Sequence, residues 1–459
     1  MMTKPTVVYP EKALVIGMGV SGRFVTELLL REGVRTTATD LRPRDRFNGA
    51  LDHLEKKGCT LRLGTHLAED FLKADQIVVS PGVPLDLEPL REARARGIEI
   101  VGELEWAWRL VNLPVVAVTG TNGKTTTTSL VGEMFRAAGK RAFVGGNIGS
   151  PLSQWLVDGG EADTLILEVS SFQLDTASTF RPEVGVLLNV TEDHLDRYDD
   201  FGAYADSKLS IFSRQNADDV AVINVDDPIC RARSSEAPGR LLTSSRKDGR
   251  AHAVLAGRTA RVQVPWLAPF DINLEGSSLR GVHNEENVLA AALAAAAMGV
   301  DPAAVQKAVD GYRVLPHRVE RVGVWQGIEF YDDSKATNVG AVVKALEGFD
   351  GPVLLLLGGR DKLGSYEPLI EPLQRKGKGA FVFGEGAARI RDALEKHVPV
   401  KSYKNLEEAF EGALDRAEDG DVVLLSPACS SFDQYESYAK RGDHFASLVR
   451  KLSGGVLAA

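Results

Sequence analysis

Nine short apolar runs recur along the chain, and stretches with helical spacing separate them. They read ALVIG, DQIVVS, PVVAVTG, TLILEVS, VGVLLNV, DVAVINV, GPVLLLLG, GAFVFG and DVVLLSP. Runs of this length, bounded by Gly, Pro or Ser, are typical of parallel strands covered by helices on both faces. Their alternation with helical stretches predicts an α/β fold built on parallel sheets.

The length of the chain and the grouping of its motifs predict several domains. At roughly 150 residues per domain, 459 residues correspond to about three units. We place them at residues 1–102, 103–313 and 314–459. Residues 250–275 break the α/β alternation with text such as RTARVQVPW, which predicts a small β-rich part of the second unit.

Charge and cysteine content exclude several classes of protein. The net charge of −9 disfavours a nucleic-acid backbone as the main partner. The longest apolar runs are too short to cross a bilayer, and no secretion signal is recognisable. Three well-separated cysteines without a CxxC pattern, Cys59, Cys230 and Cys429, indicate free thiols and a cytoplasmic protein.

A first glycine loop follows the apolar run ALVIG. Gly17, Gly19 and Gly22 form G-x-G-x-x-G before a helical stretch, and the next strand-like run, TTATD, ends on Asp40. This layout is typical of a dinucleotide-binding βαβ unit, with the acidic residue placed to bind a ribose. On these residues alone, an NAD(P)-dependent oxidoreductase remains one of the hypotheses.

A second glycine loop, TGTNGKTTTT, joins the run PVVAV to another helix. It departs from the strict pattern G-x4-G-K-[ST], because Val118 stands at the position of the first glycine. Backbone N–H groups at a helix start bind phosphates, a lysine reaches the terminal phosphates and a hydroxyl binds Mg²⁺. The loop therefore predicts ATP-driven chemistry. The ATP-binding candidates are Gly120, Thr121, Asn122, Gly123, Lys124, Thr125 and Thr126.

Acidic residues and a histidine follow two further strand-like runs. Glu168 ends TLILE, and the loop NVTEDHLDRY contains Glu192, Asp193, His194 and Asp196. Carboxylates at the carboxyl edge of a sheet beside a phosphate loop are where Mg²⁺ ligands belong. Lys208, in the helical stretch YADSKLSIF, is by itself typical of a surface lysine.

Polar clusters also end the strand-like runs of the third unit, where loops commonly carry function. Cys429 has no obvious paired histidine, which favours a small buried residue over a nucleophile. The clusters comprise His317 and Arg318; Asp332, Asp333, Ser334, Lys335, Thr337 and Asn338; Arg360, Asp361 and Lys362; and Ser426, Cys429, Ser430, Ser431, Phe432, Asp433, Gln434 and Tyr438.

Together these motifs resemble the Mur ligase family, the ATP-dependent amino-acid ligases of peptidoglycan precursor synthesis. GTNGKTTT, GGNIG, LEVSSFQL, NVTEDHLDRY, GVHNEENVLAA, LPHRVE, DDSKATN and LGGRDK occur in the order of the family. GMGVSG…ATDLRP, VVSPGVP…GIEIVGELE and LLSPACSSFDQYESYAKRGDHF are similar to the member that adds D-glutamate. GGRDKLG stands where the diaminopimelate- and lysine-adding members usually carry DNPR or DDNPA.

The resemblance implies three α/β domains. The first is Rossmann-like and holds UDP, the second is a P-loop ATPase domain, and the third is Rossmann-like and closes over ATP and the amino acid. It implies an ATP-dependent ligase that adds D-glutamate to UDP-N-acetylmuramoyl-L-alanine through an acyl phosphate. Two Mg²⁺ ions and a CO₂-derived carbamate on Lys208 are expected. We also expect a monomer without nucleic-acid or membrane partners.

The same resemblance assigns site residues. Lys124, Glu168, His194 and Lys208 are the catalytic positions, and Thr125 joins Glu168, His194 and carbamylated Lys208 as a metal ligand. The UDP-substrate positions are Gly19, Val20, Ser21, Asp40, Arg42, Ser80, Asn147, Ser170 and His194. The additional ATP positions are Asn284, Asn287, Arg318 and Asp333. The D-glutamate positions are Lys335, Thr337, Lys362, Ser431, Phe432 and Tyr438, the last commonly Phe in the family.

Three alternatives remain to be discriminated by assay. The first is another ligase of the superfamily, such as the L-alanine-adding Mur enzyme or folylpolyglutamate synthetase. The second is an NAD(P)-dependent oxidoreductase, which would leave the second glycine loop and the DDSKATN cluster without a role. The third is an ATP-binding switch protein without amino-acid-dependent turnover.

Overall fold

The computed structural model describes residues 9–279, 281–313 and 316–452. Its strands form three sheets whose members lie within residues 12–102, 115–273 and 320–428. The two chain ends and residue 314, the predicted start of the third unit, lie outside the described residues. The unit boundaries therefore stay a prediction. Each of the nine apolar runs forms a strand, which confirms the α/β fold.

The first sheet has five parallel strands in the order β3-β2-β1-β4-β5. Successive strands are added on one side of β1 up to β3 and on its other side from β4 onward. The point between β1 and β4 where this change occurs is where a crevice opens at the carboxyl edge of the sheet in Rossmann folds. The strands β1–β5 are Lys12–Ile16, Arg35–Asp40, Thr60–Leu63, Gln76–Val79 and Glu99–Gly102. The helices α1–α5 are Val20–Arg31, Asp52–Lys56, Ala68–Lys73, Glu88–Ala95 and Glu103–Arg109.

The second sheet has nine strands in the order β14-β13-β12-β11-β10-β9-β6-β8-β7. The pairs from β7 to β12 are parallel, and β12, β13 and β14 pair antiparallel in the predicted β-rich part. The strands β6–β14 are Val115–Thr119, Ala142–Gly146, Thr164–Glu168, Val184–Leu187, Val220–Asn224, Arg240–Ser245, Ala253–Ala256, Thr259–Val262 and Phe270–Asn273. The helices α6–α12 are Lys124–Ala137, Leu152–Val157, Ser171–Leu174, Phe201–Leu209, Pro228–Ala232, Val282–Ala297 and Pro302–Gly311.

The third sheet has six strands in the order β15-β16-β20-β17-β18-β19, and only the pair β15–β16 is antiparallel. The strands β15–β20 are Glu320–Trp325, Ile328–Asp332, Val353–Gly358, Gly377–Phe383, Val400–Tyr403 and Val422–Ala428. The helices α13–α17 are Val339–Glu347, Ile370–Lys376, Ala387–Leu394, Leu406–Leu414 and Tyr438–Leu452.

The central core positions the second glycine loop, TGTNGKTTTT, which is called the phosphate loop below. Both faces of β6 are buried. One face packs in the same core as α6 and the alanine-rich helix α11, whose small side chains let it lie close to the sheet. β6 lies between β8 and β9, so the loops that follow these three parallel strands leave the sheet at one edge. That edge carries the site.

Helix α5 joins the first sheet to the second, because its Arg109 Nη2 donates to Glu99 Oε1 of β5 at 2.7 Å and its Glu105 binds the segment that follows α8. Glu105 is fully buried and accepts hydrogen bonds from Thr179 N and Phe180 N at 3.0 and 2.9 Å, while Arg109 Nε donates to it at 2.8 Å. A buried carboxylate with this many donors is fully satisfied and holds its neighbours in place.

The three cysteines are free, as predicted, and all three are buried, which was predicted for Cys429 alone. None of the helices in the described part of the chain combines the length and the apolarity that a membrane crossing requires.

Candidate functional site

The phosphate loop is held in a conformation that requires glycine. Gly120 and Gly123 have φ values of +149° and +84°, and a Cβ on Gly123 would lie 2.2 Å from Asn287 Oδ1. The loop runs directly into α6, whose first residue is Lys124. Lys124 Nζ donates to the carbonyl oxygens of Gly120 and Thr121 at 2.8 Å each. Backbone N–H groups at a helix start suit a polyphosphate.

Burial sets the protonation behaviour of Lys124. Burial lowers the pKa of its ammonium group, nearby Glu168 and Asp193 oppose that shift, and Arg318 and Lys362 reinforce it. A desolvated cation beside other cations is poorly compensated by protein groups alone. An anionic ligand between these side chains would remove that imbalance.

Glu168 is the centre of an oxygen-rich cluster. It ends β8 directly beside Val118 of β6 and is 2% exposed. Thr125 Oγ1 donates to its Oε2 at 2.7 Å, and Asn147 Nδ2 donates to its Oε1 at 2.7 Å. Hydroxyl, amide and carboxylate oxygens are the ligands that Mg²⁺ prefers, so the donor set fits that ion.

His194 lies on the loop that follows β9, in the left-handed region at φ +56°. The ring of Phe172 packs edge-on against its imidazole, with centroids 4.7 Å apart. Burial lowers the pKa of His194 to about 3, and the cations Lys362, Lys124 and Lys208 add to this effect. The imidazole is therefore neutral at physiological pH, the form that binds a metal ion.

Lys208 is the clearest departure from the surface role typical of a lysine. It lies on α9, is 2% exposed, and its Nζ donates to Gly120 O at 2.9 Å and sits 4.5 Å from the ring centroid of Tyr204. Burial, together with neighbouring Lys124, puts the pKa of Lys208 well below the ordinary value. The expectation of a surface lysine is therefore wrong, because α9 packs across the carboxyl edge of the sheet. A neutral amine is the form that adds CO₂.

The candidate nucleotide residues lie on α11 of the second unit and around β15 and β16 of the third. Asn284 and Asn287 lie three residues apart on α11, and Asn287 abuts Gly123. Asp333 follows β16, and its Oδ2 accepts a hydrogen bond from Ser426 Oγ at 2.7 Å. Among the described residues, the buried Nε of Arg318 has no hydrogen-bond partner. A nucleotide phosphate or ribose between these groups would supply that acceptor.

The charge of Asp333 gives a prediction about stability. Burial raises its pKa to about 7, against the lowering effects of Ser426 and Arg318, while an unfolded aspartate has a pKa of about 3.9. The folded protein therefore binds more protons between these values. The contribution of Asp333 to the free energy of unfolding is therefore fully present at about pH 4 and is lost as the pH rises through about 7.

We expect Asp333→Asn to remove this pH dependence. Urea midpoints measured from pH 5 to pH 8 should show the wild type losing stability relative to the variant as the pH rises. Parallel curves for the two proteins would contradict the assignment.

One cavity of about 300 Å³ brings the second and third units together. Lys124 and Lys208 face it from one side and Lys362 from the other, and Lys362 Nζ lies 2.9 Å from Asp193 Oδ1. The cavity is lined by Lys124, Asn147, Ser170, Ser171, Phe172, Asp193, His194, Tyr204 and Lys208 of the second unit, and by Thr337, Lys362, Ser430, Ser431, Phe432 and Tyr438 of the third.

The remaining D-glutamate candidate lies next to this cavity. Lys335 Nζ is 4.9 Å from the ring centroid of Tyr438, and burial lowers the pKa of this lysine to about 8. Ser431 is buried, whereas Phe432 is 63% exposed at the mouth. The structure therefore gathers the six D-glutamate candidates at one place, although their roles stay a prediction.

The UDP candidates of the first unit lie at the carboxyl edge of its sheet. A Cβ on Gly22 would lie 1.8 Å from Gly17 O, so the glycine loop admits no side chain there. Ser80 Oγ donates to Gly17 O at 2.7 Å. Asp40 is engaged by Arg42 Nη2 at 2.7 Å and by Met18 N at 2.7 Å, which fixes its carboxylate. Gly19, Val20 and Ser21 begin α1 at the same edge.

Four residues of the site had no specific role assigned from the sequence. Arg197 donates to the carbonyl oxygens of Gly82 and Val83, which joins the loop of His194 to the carboxyl edge of the first sheet, where the UDP candidates lie. Asp193 binds Lys362, and Tyr204 lines the cavity. Asn338 bonds to the phosphate loop. Arg197, Asp193 and Asn338 stand inside the motifs NVTEDHLDRY and DDSKATN, which was the available signal.

Family models match most of the described chain. The model described as "Mur ligase MurD-like, N-terminal domain" matches residues 11–102. "Mur ligase middle domain" matches residues 118–295, and "Mur ligase, glutamate ligase domain" matches residues 317–429.

Curated relatives are similar over nearly the whole length. The chain is 46% identical to UDP-N-acetylmuramoylalanine--D-glutamate ligase of Desulfosudis oleivorans, over 98% of this chain and 99% of the relative. It is 43% identical to the protein of the same name from Citrifermentans bemidjiense, over 96% and 97% of the two chains.

Solved structures share the fold at low sequence identity. A pseudomurein peptide ligase type C from Methanothermus fervidus has a TM-score of 0.61 at 19% identity, covering 96% of this chain and 100% of that one. UDP-N-acetylmuramate-alanine ligase from Thermotoga maritima has a TM-score of 0.60 at 18% identity, covering 97% and 100%. These neighbours establish the three-unit fold.

Proposed function

The chain belongs to the Mur ligase family, and we propose that it joins D-glutamate to the alanyl carboxyl group of UDP-N-acetylmuramoyl-L-alanine. ATP is converted to ADP and phosphate, and the product is a precursor of peptidoglycan. Relatives more than 40% identical over nearly the full chain carry the name of this D-glutamate ligase.

A single observation carries the proposal. The cavity between the second and third units has the phosphate-loop Lys124 on one wall and Lys362, Thr337 and Ser431 on the other. Cations and hydroxyls of this kind suit a dicarboxylate opposite a polyphosphate. An oxidoreductase reading of the first glycine loop leaves this cavity without a role.

The first step must activate a carboxylate. A carboxylate resists attack by an amine because it is resonance-stabilised and oxide is a very poor leaving group. The alanyl carboxylate oxygen therefore attacks the γ-phosphorus of ATP, the bond to the β-phosphate oxygen breaks, and ADP leaves. Lys124 would neutralise charge as these two anions approach, which is the main task of a phosphoryl-transfer site.

The second step forms the amide. The amine of D-glutamate, once deprotonated, attacks the acyl carbon, the acyl C–O bond to phosphate breaks, and phosphate leaves with its electron pair. We assign Lys362, Lys335, Thr337 and Ser431 to the two carboxylates of D-glutamate, and the mouth residues Phe432 and Tyr438 to closure of the pocket. Correct placement of amine and acyl carbon is worth several orders of magnitude in rate.

The central unit fits Mg²⁺ as well as ATP. Thr125 and Glu168 would hold one ion, and His194 with a carbamate on Lys208 would hold a second. Bound Mg²⁺ supplies charge stabilisation to the transferring phosphoryl group. Carbamylation turns a buried amine into an anion, so a residue that would repel a cation becomes a ligand for it. The two ions and the carbamate are part of the proposal.

The first unit would hold the UDP group. We assign the pyrophosphate to the glycine loop at the start of α1 and the uracil end to the edge formed by Asp40 and Arg42. Asn147 and Ser170 would then contact the muramoyl end near the cavity. A monomer acting in the cytoplasm on small-molecule substrates remains part of the proposal.

A substrate matrix tests the function. Phosphate release from ATP would be measured with UDP-N-acetylmuramate or UDP-N-acetylmuramoyl-L-alanine as acceptor, and with L-alanine, D-glutamate, L-glutamate or L-lysine as the amine. We expect release only with UDP-N-acetylmuramoyl-L-alanine and D-glutamate, and amide product confirmed by mass spectrometry.

The other outcomes identify the alternatives. Release with L-alanine and UDP-N-acetylmuramate, but none with D-glutamate, would assign the chain to a different Mur reaction. ATP binding without amine-dependent release would indicate a switch protein, and hydride transfer from NADH would support an oxidoreductase.

A further inference from the structure

Asn338 lies where α13 of the third unit meets the phosphate loop of the second. Its side chain is 7% exposed and caps α13, since Oδ1 accepts a hydrogen bond from Ala341 N at 2.9 Å. Its Nδ2 donates to Asn122 Oδ1 at 3.0 Å, and Asn122 Nδ2 donates back to Asn338 Oδ1 at 3.3 Å. The two amides therefore form a reciprocal pair between the units.

The same amide also reaches the loop of His194. Asn338 Nδ2 lies 3.2 Å from Asp193 Oδ2, and the other oxygen of Asp193 accepts a hydrogen bond from Lys362 Nζ. One side chain thus touches the tip of the phosphate loop and the carboxylate that holds the D-glutamate candidate Lys362. An amide is the group that serves here, because it donates and accepts at once.

The partners of Asn338 on the central unit are themselves fixed. Asn122 N donates to Asn189 Oδ1 at 2.8 Å, and Asn189 Nδ2 donates to Asn122 O at 3.1 Å. The backbone of the phosphate loop therefore stays in place without Asn338. What Asn338 adds is the position of α13, and with it of the adjacent Thr337, relative to that loop.

We propose that Asn338 is a positioning residue that couples the phosphate loop to the D-glutamate pocket. This inference rests on the proposed function. Its amide holds the start of α13 against Asn122 and Asp193, so that Thr337 and Lys362 face the acyl carbon produced at the phosphate loop.

The test replaces Asn338 with serine, which still caps a helix but is too short to reach Asn122 or Asp193. Asn405→Ser is the matched control, because Asn405 caps α16 in the same way, accepting from Glu408 N at 2.9 Å. We expect Asn338→Ser to raise the KM for D-glutamate about tenfold, which is the size of effect that follows when hydrogen bonds between packed amide groups are removed. Equilibrium binding of ATP should change less than twofold.

A second measurement follows the coupling itself. In a double-mutant cycle of Asn122→Ser and Asn338→Ser, the KM effects for D-glutamate should be clearly less than additive. In small-angle X-ray scattering, the compaction caused by a non-hydrolysable ATP analogue should be smaller for Asn338→Ser than for the wild type and Asn405→Ser.

These results separate the inference from the proposed function. Equal KM values for Asn338→Ser and Asn405→Ser, or additive effects in the cycle, would overturn the role of Asn338. A parallel loss of ATP affinity would also overturn it, because it would place the effect in the phosphate loop. If the wild type releases no phosphate with D-glutamate, the proposed function fails, and the scattering comparison still decides whether Asn338 couples the two units.

Discussion

Replacing Lys124 with methionine is expected to lower the rate of ATP-dependent phosphate release by about 10³-fold or more. The reaction brings the alanyl carboxylate against the γ-phosphate, and removal of a cation aimed at a transferring phosphoryl group costs this much. Methionine keeps most of the length of the lysine side chain and removes only the charge. Single-turnover assays with saturating substrates would measure the effect on chemistry.

The loss should occur without loss of folding. Burial disfavours the charge of Lys124 in the free protein, so an apolar residue of similar size should leave the free energy of unfolding equal or higher. Lys307→Met, an exposed lysine on α12, is the control and should change neither rate nor stability. Turnover by Lys124→Met within tenfold of the wild type would refute the role assigned to this lysine.

Replacing Lys208 is expected to have an effect of similar size through a different group. If its carbamate holds a metal ion, loss of the amine removes that ligand, and the charge stabilisation of several kcal/mol corresponds to about 10³-fold in rate. ¹³C-labelled CO₂ should give a carbamate carbon signal in the wild type that both Lys208→Ala and Lys208→Met lack.

A matched pair of variants tests whether activity needs the negative charge of the carbamate or only a side chain that fills its space. Lys208→Ala leaves a buried cavity beside Tyr204 and Gly120, into which acetate can place a carboxylate. Lys208→Met fills that space. We expect acetate to restore part of the activity of Lys208→Ala and none of that of Lys208→Met. Full activity of Lys208→Ala without CO₂ and acetate would show that no carbamate is needed.

The strand pattern was readable from the sequence because it depends on neighbours along the chain. An apolar run ended by Gly or Pro forms a buried strand wherever helices cover it, and Asp40 and Glu168 end their strands as the pattern predicted. The glycine loops could be predicted for the same reason, because a positive φ and the absence of Cβ are properties of single positions.

The surroundings of a side chain, in contrast, could not be predicted from its neighbours along the chain. The helical pattern around Lys208 predicts a surface lysine. In the fold, the sheet edge and Tyr204 enclose this side chain, and burial lowers its pKa. Asp333 is one of several acids in a polar run, and only the packing around it raises its pKa to about 7. Desolvation depends on what surrounds a group in space, which residue spacing does not encode.

The sequence by itself determined the α/β class, both glycine loops and, through motif order, the family. The tertiary structure decided which of these motifs meet. Lys362 contacts Asp193 across 169 residues of chain, and Asn338 contacts Asn122 across 216. The physical reason is that hydrogen bonds and desolvation act over a few ångströms. A site made from the carboxyl edges of two sheets therefore exists only when the fold has brought those edges together.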